Sequence, residues 1–297
     1  ATPEGWKQGP HWVIVWAQAA MRFRTKVRNP GLFLKIVQAV EKLGKECVLH
    51  FTPQKLEFIV ASDATKGVQL WSGLNQQSLF EDYRIESQNK NEISFQLSVD
   101  NLHRALKSAQ SAHDIVMKLT KQRNQAILSF CIEIQSQQLM TIVQDVPIAL
   151  LSAQQLSNLT EPVLPDPEVY IMMPPLRLVQ RVVDSMKKLS VSQTLRVEAC
   201  MNKKMRLSIE TDLVTVATFY DNLEHPQIQG GSPTRLSEET KAVVFVDIKK
   251  FAQFLHCHQV TPTNAICCLL ENRAIVMHVL LDDLYMTYYI PAIMCEE

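Results

Sequence analysis

The chain has 297 residues, 46% of them hydrophobic and 20% charged, with 30 basic residues balanced by 30 acidic ones. That composition is ordinary for a globular protein, and the length favours two cores over one. Zero net charge excludes a uniformly basic nucleic-acid binder, and no apolar run approaches the roughly 20 residues of a membrane span.

Residues 1–20 stand apart from the rest of the chain. HWVIVW with AQAA after it mimics a secretory leader, but its apolar core is too short. The folded pattern is expected to start at Met21, with residues 1–20 as a disordered extension. From there MRFRTKV reads as a strand and PGLFLKIVQAVEKLG as a helix, opened by Pro30 and closed by Gly44. CVLHFT, LEFIVAS and VQLWSGL come next as strands. The order then repeats. ISFQLS is a strand, VDNLHRALKSAQSA a helix, and VMKLTK, AILSFCIEI and MTIVQDVPI are strands.

Next comes EPVLPDPEVYIMMPP, where Pro162, Pro165, Pro167, Pro174 and Pro175 crowd together. Proline fixes φ and lacks an N–H, so residues 149–167 read as an extended connector. After it the pattern starts again: EVYIMM as strand, PPLRLVQRVVDSMKKL as helix, then TLRVEAC, MRLSIET and VTVATFY as strands. AVVFVDI leads into the helix KKFAQFLHC, and AICCLLE, AIVMHVLL and LYMTYYIPA complete the fold. The halves align residue by residue. LKIVQAVEKL, ending at Leu43, lies over QRVVDSMKKL, ending at Leu189, an offset of 146. Leu102, Ala105 and Leu106 fall on Phe251, Phe254 and Leu255 at an offset of 149. The chain is an internal duplication, α+β in class, with domains expected at 21–148 and 168–293 and a tail at 294–297.

The helices carry a common charge pattern. In the first, Leu32, Ile36, Ala39, Val40 and Leu43 form an apolar stripe, while Lys35, Lys42 and Lys45 point away from it. In the third, Val179, Val182, Val183 and Met186 form the stripe, with Arg177, Arg181, Lys187 and Lys188 opposite. The second and fourth add Arg104, Lys107, Lys249 and Lys250. At the offset of 146, Lys35 meets Arg181 and Lys42 meets Lys188. Acids on these faces are few (Glu41 and Asp184), and Glu81, Asp82, Glu161, Asp166, Glu238, Glu239, Asp282 and Asp283 gather in loops and edges. Segregated charge in a neutral protein is the footprint of a phosphate-facing surface.

Enzymatic templates fail. No glycine-rich phosphate loop, G-x-S-x-G or H-E-x-x-H occurs, so no catalytic residue and no cofactor is assigned. Seven cysteines with no C-x-x-C read as structural thiols in a reducing compartment. HCH at 256–258, with Cys267 and Cys268, lacks zinc-site spacing, so no metal is expected. Asp282 and Asp283 read as a tight turn, and Ser232-Pro233 in the loop 221–240 as a weak phosphorylation candidate.

Two duplicated domains, each of two β-α-β-β-β units with basic helices, resemble the DNA sliding-clamp family. MRFRTKV, NEISFQLSVDNLHRALKSAQSA, EPVLPDPEVYIMMPP, IETDLVTVATFY and YIPAI are similar to the Hus subunits of the heterotrimeric nine-one-one checkpoint clamp, over about residues 21–293. The resemblance implies helices on the inner face, sheets outside, and a nuclear ring completed by two other clamp subunits. It also implies a checkpoint clamp loader, double-stranded DNA held without sequence preference, and checkpoint and repair proteins as clients. Within that topology MTIVQDVPI and VTVATFY are the interface strands, with Thr141, Val143, Val214, Val216 and Thr218 as contacts. The connector implies partner-peptide docking at Leu150, Leu151, Leu156 and Leu159, the alternative being that they seal the connector onto the sheets. A homotrimeric replication clamp and a DNA-independent scaffold are the competing readings.

Overall fold

The computed structural model describes residues 21–61, 67–135, 139–189, 193–211, 214–226, 237 and 239–293. Residues 1–20, Ser232-Pro233 and the tail at 294–297 lie outside them.

The N-terminal half opens with β1 (Arg22–Val27) and α1 (Pro30–Glu41), whose start is set by Pro30 and by the Asn29 side chain accepting from Leu32 N at 3.0 Å. Strands β2 (Glu46–Phe51), β3 (Lys55–Val60), β4 (Gln69–Asn75) and β5 (Phe80–Glu86) come after it. Then come β6 (Ile93–Ser98), α2 (Val99–Ser108), β7 (Asp114–Gln122), β8 (Gln125–Gln135) and β9 (Leu139–Leu150). The C-terminal half repeats this with β10 (Val169–Met172), α4 (Leu176–Leu189), β11 (Thr194–Cys200), β12 (Lys204–Glu210) and β13 (Thr215–Tyr220). Its second unit is β14 (Lys241–Asp247), α5 (Ile248–Leu255), β15 (Asn264–Leu270), β16 (Ala274–Leu281) and β17 (Leu284–Pro291). A 3-10 turn, His256–Val260, extends α5, so His256 starts that turn and is not inside the helix expected there.

Two elements depart from the expected pattern. FEDYRIE, left unassigned by the pattern, forms β5, and its acids Glu81 and Asp82 sit on an edge strand that among the described residues pairs with β1 alone. A charged edge strand escapes the period-2 signal because only one face needs to be apolar and the free edge favours charge. Asp82, at φ 49°, marks the register shift between Arg24 and Lys26. The connector is also not extended throughout. Leu150 still belongs to β9, and α3 (Ala153–Ser157) closes with a capping box between Ser152 and Gln155. After α3 the chain, including the whole proline-rich part, lacks regular structure up to β10.

Thirteen strands form one continuous sheet in the order β10-β15-β16-β17-β4-β3-β2-β6-β9-β8-β7-β1-β5, and β13-β12-β11-β14 form a second. The two halves are joined edge to edge, β17 to β4, with Tyr285 opposite Gly73 and Tyr288 opposite Leu70. A Cβ on Gly73 would fall 2.5 Å from Tyr285 Oη, so glycine there lets the tyrosine cross the joint. Helices α1 and α2 pack together, α4 and α5 pack together, and the 3-10 turn of the second half packs on α1. The helices therefore form one layer over the sheets, with Phe33, Phe51, Phe58, Phe95, Phe251, Phe254 and Tyr288 fully buried between.

That packing buries α1 on more than its sheet-facing stripe. Phe33, Leu34, Ile36, Val37, Ala39 and Val40 are all buried, because α2 and the 3-10 turn flank it on both sides. On α4 only Leu176, Val179, Val183 and Met186 are buried.

Candidate nucleic-acid interface

The basic residues gather on the surface of the helix layer that faces away from the sheets. Lys35, Lys42, Lys45, Arg104, Lys107, Arg177, Arg181, Lys188 and Lys249 are exposed, and Lys250 is half-buried. Lys35 and Arg177, from different halves, line one cleft of about 510 Å3 with His258 and Gln259. Lys35 and Lys42 line a second, of about 420 Å3, with His103 and Gln259.

The acids on this face have local partners. Glu41 Oε1 lies 3.2 Å from His103 Nδ1, Asp184 is 3.0 Å from Lys187, and Asp100 is 2.7 Å from Arg104. Asp100 escaped the sequence count of acids on the helices, and it ties up Arg104 within α2. Among the described residues the other nine expected cations form no ion pair within 4 Å, which leaves their charge available to an external anion. Sequence reasoning missed the histidines of this face. His256 is held below its ordinary value of 6.5 by burial first, then by Lys42 and His258, so it is neutral at neutral pH. Nothing in the sequence signals it, because Lys42 reaches it only across the junction of the halves.

The assigned interface strands are both open edges. Among the described residues, β9 from Leu139 to Pro147 pairs only with β8, and its last residues turn onto β6. Strand β13 likewise pairs only with β12 among the described residues. Val143 and Val214 are 59% and 56% exposed, Thr141 is exposed, and Val216 and Thr218 are half-buried. Phe219, unflagged in the sequence, is 66% exposed on the same edge, with the Arg206 guanidinium 5.3 Å from its ring.

These edges repeat the internal joint. Strand β13 is the counterpart of β4, since Thr215 stands 146 residues after Gln69. Strand β9 is the counterpart of β17: each closes the hairpin that comes after the second helix of its half. The chain thus contains one closed β17–β4 joint and the two halves of another, left apart.

The connector leucines are scattered in environment. Leu150 is exposed and pairs with Phe95, whereas Leu151, Leu156 and Leu159 are half-buried. The residue that reaches the outer face of the C-terminal sheet is Leu164, which packs on Cys268, Leu270 and Val276. Tyr289 Oη donates to Glu161 at 2.8 Å, and Glu271 N donates to Glu168 at 3.1 Å.

Metal or thiol chemistry finds little footing. Among the described residues no cluster of three potential metal ligands occurs. Cys47, Cys257, Cys267 and Cys268 are buried, and burial pushes the Cys47 and Cys268 thiols up to about 12. Cys131 and Cys200 are half-buried. No helix among the described residues is long and apolar enough to cross a membrane.

Solved structures with this architecture are sliding clamps. Proliferating cellular nuclear antigen from Entamoeba histolytica matches with a TM-score of 0.70 at 9% identity, over 92% of this chain and 99% of that one. The antigen from Thermococcus kodakaraensis matches with a TM-score of 0.66 at 19% identity, over 91% of this chain and all of that one. The fold is therefore that of a DNA sliding clamp. The model of the family described as Hus1-like protein matches residues 21–294. The checkpoint protein hus1 homolog of Dictyostelium discoideum is 42% identical over 275 residues, covering 92% of this chain and 99% of that protein. Checkpoint protein HUS1 of Homo sapiens is 35% identical over 282 residues, covering 92% of this chain and all of that protein. The chain belongs to the Hus1-like family of checkpoint proteins, built on the sliding-clamp fold.

Proposed function

We propose that this chain is one non-enzymatic subunit of a heterotrimeric ring that encircles double-stranded DNA in the nucleus. There it is loaded by a checkpoint clamp loader and serves as a platform for checkpoint and repair proteins. Residues 21–148 and 168–293 act as its two clamp domains, joined by the connector at 149–167. The observation that carries this reading is the repeated sheet joint. β17 closes on β4 inside the chain, while their counterparts β9 and β13 remain open. An open sheet edge recruits another strand through its free N–H and C=O groups. With one such edge of each kind per chain, contacts run head to tail, and head-to-tail contacts that close make rings.

DNA then lies against the helix layer. Lys35, Lys42, Arg177, Arg181 and Lys188 meet phosphates, which fix position without reading bases. Contacts to phosphate carry no sequence information, so the hold is electrostatic and independent of sequence.

The test is co-purification with the two companion clamp-type chains of the same organism. A stoichiometric three-chain complex that stays on circular DNA and slides off once the circle is linearised is the expected result. A chain that stays monomeric with both companions present overturns the reading.

A further inference from the structure

The cleft of about 510 Å3 that crosses the junction of the two halves is built for more than a passing phosphate. Lys35 of α1 and Arg177 of α4 line it, both exposed and, among the described residues, without an ion pair. None of its lining residues is acidic, and Met173, Pro174, Pro175 and Pro262 give it an apolar wall. The neighbouring cleft of about 420 Å3 shares Lys35 and Gln259 with it and adds Lys42. An anionic strand thus finds cations in sequence from Arg177 past Lys35 to Lys42.

The wall that the 3-10 turn supplies is held in an unfavourable backbone conformation. Thr261, which ends that turn, lies in the left-handed region at φ 53° and ψ 60°. It is β-branched and precedes Pro262, and each of these features disfavours that conformation. Such strain persists only where the surroundings over-determine it, and it gathers at binding sites. Here Thr261 N donates to His258 O at 3.0 Å, and Thr261 Oγ1 donates to Val260 O at 2.7 Å. His258 Nδ1 in turn donates to Leu255 O at 2.9 Å, which fixes its ring in the cleft wall.

Phosphates on the outside of an intact duplex would meet Lys35 and Arg177 and nothing else. Paired bases stay inside the stack, so the apolar wall would remain wet. The cleft is the size of pockets that hold whole small molecules, roughly 300–1,000 Å3. We infer that it takes one unpaired nucleotide of DNA, with the phosphate at Lys35 and Arg177 and the base against His258, Met173 and the prolines. The inference rests on the reading that DNA lies along the helix layer, and adds the class of DNA that this point of the layer prefers. A base stacked on a histidine ring and an apolar wall is held by its π-face, so the site is indifferent to which base enters.

The test is photo-crosslinking. The isolated full chain is irradiated with a short oligothymidylate carrying one 5-iodouracil. The chain with its two companion subunits is irradiated on a DNA circle that carries the same base either in a short gap or in paired duplex. Crosslinks from the single strand and from the gap are expected at Met173 or His258, and those from paired duplex elsewhere. His258→Ala should lower the affinity of the isolated chain for the oligothymidylate by at least about fivefold, the lower end of what stacking one base is worth. Its affinity for duplex should fall by less. Should His258→Ala disturb the thermal melt, Thr263→Glu, at an exposed position in the same wall, carries the same comparison. Crosslinks confined to other residues, or equal losses on single strand and duplex, overturn the inference. Crosslinks at the cleft of the isolated chain, with no three-chain complex on any circle, support the site and overturn only the ring reading.

Discussion

At the scale of residues, the cations divide by partner. Arg104 and Lys187 are held by acids one helical turn away, whereas Lys35, Lys42, Arg181 and Lys188 are exposed and form no ion pair among the described residues. Reversing these last four to glutamate should leave ring assembly intact and weaken DNA association equally on any sequence. The slope of log affinity against log salt should fall by up to about 0.9 per lost contact on duplex. Arg104→Glu alone should do less, because its charge is already matched by Asp100. DNA binding by the assembled ring that ignores the fourfold reversal would remove the helix face from the interface. A second prediction concerns His256 and His278, both held below the ordinary 6.5 chiefly by burial. Below that value the unfolded chain takes up protons that the folded chain refuses, so unfolding becomes easier as pH falls. The melting temperature should therefore decline from pH 7.5 towards pH 5, in the window between the ordinary and the lowered values. His256→Gln should flatten part of that decline, and identical pH profiles in variant and wild type would exclude His256 as a source.

Among the elements, the connector changes most from its expected form. Its first part is strand and short helix, and its proline-rich part is a strap on the outer face of β15–β17. The family resemblance directed attention to Leu150, Leu151, Leu156 and Leu159 as a docking surface, and the strap itself is packed through Leu164, flanked by the Glu161–Tyr289 and Glu168–Glu271 hydrogen bonds. Leu164→Ala should cost about 1 kcal/mol, since only part of one leucine leaves a small cluster. For a chain of this size that lowers Tm by about 2–4 °C. Hydrogen exchange should accelerate at the amides of Glu168 and Glu271, which open with the strap. Leu156→Ala with Leu159→Ala should leave those amides protected and lower the affinity of any peptide that docks on the connector. Unaltered exchange in the Leu164 variant would show that hydrogen bonds alone hold the strap.

Over the whole molecule, the two open edges and the closed joint between them set the expected assembly. Matching the buried β8 residues Leu128, Phe130 and Ile132 to Ile275, Met277 and Val279 of β16 places Ile142 and Gln144 at the positions of Met286 and Tyr288. Transferring the β17–β4 register puts Ile142 opposite the neighbour's counterpart of Thr218, and Gln144 opposite that of Val216. Met140→Asp with Val143→Asp, both at exposed positions of β9, should abolish binding to one companion subunit. Binding to the companion held at β13 should persist, and the isolated chain should melt as before. Loss of both contacts at once, with the fold intact, would mean that the edges are not independent.

Much of this was legible in the sequence. The α+β class and the repeated strand–helix–strand order come from hydrophobic period, which burial on one face imposes locally. The helix starts at Pro30 and before Leu176 come from proline's fixed φ, and the shared placement of Lys35 with Arg181 comes from duplication. What the tertiary structure alone decided is everything that depends on a surface being covered by a distant segment. Charge on β5 hid a strand, because an edge needs only one apolar face. Asp100 took Arg104 through a contact that counting acids overlooked. Ile36 of α1 and Val182 of α4 occupy matching positions in the duplicated sequence, yet Ile36 is fully buried and Val182 only half-buried. The difference lies in the 3-10 turn more than 200 residues from α1, which packs mainly on α1. Periodicity reports that a face is apolar, and only the packed chain determines whether that face is already filled or awaits a neighbour.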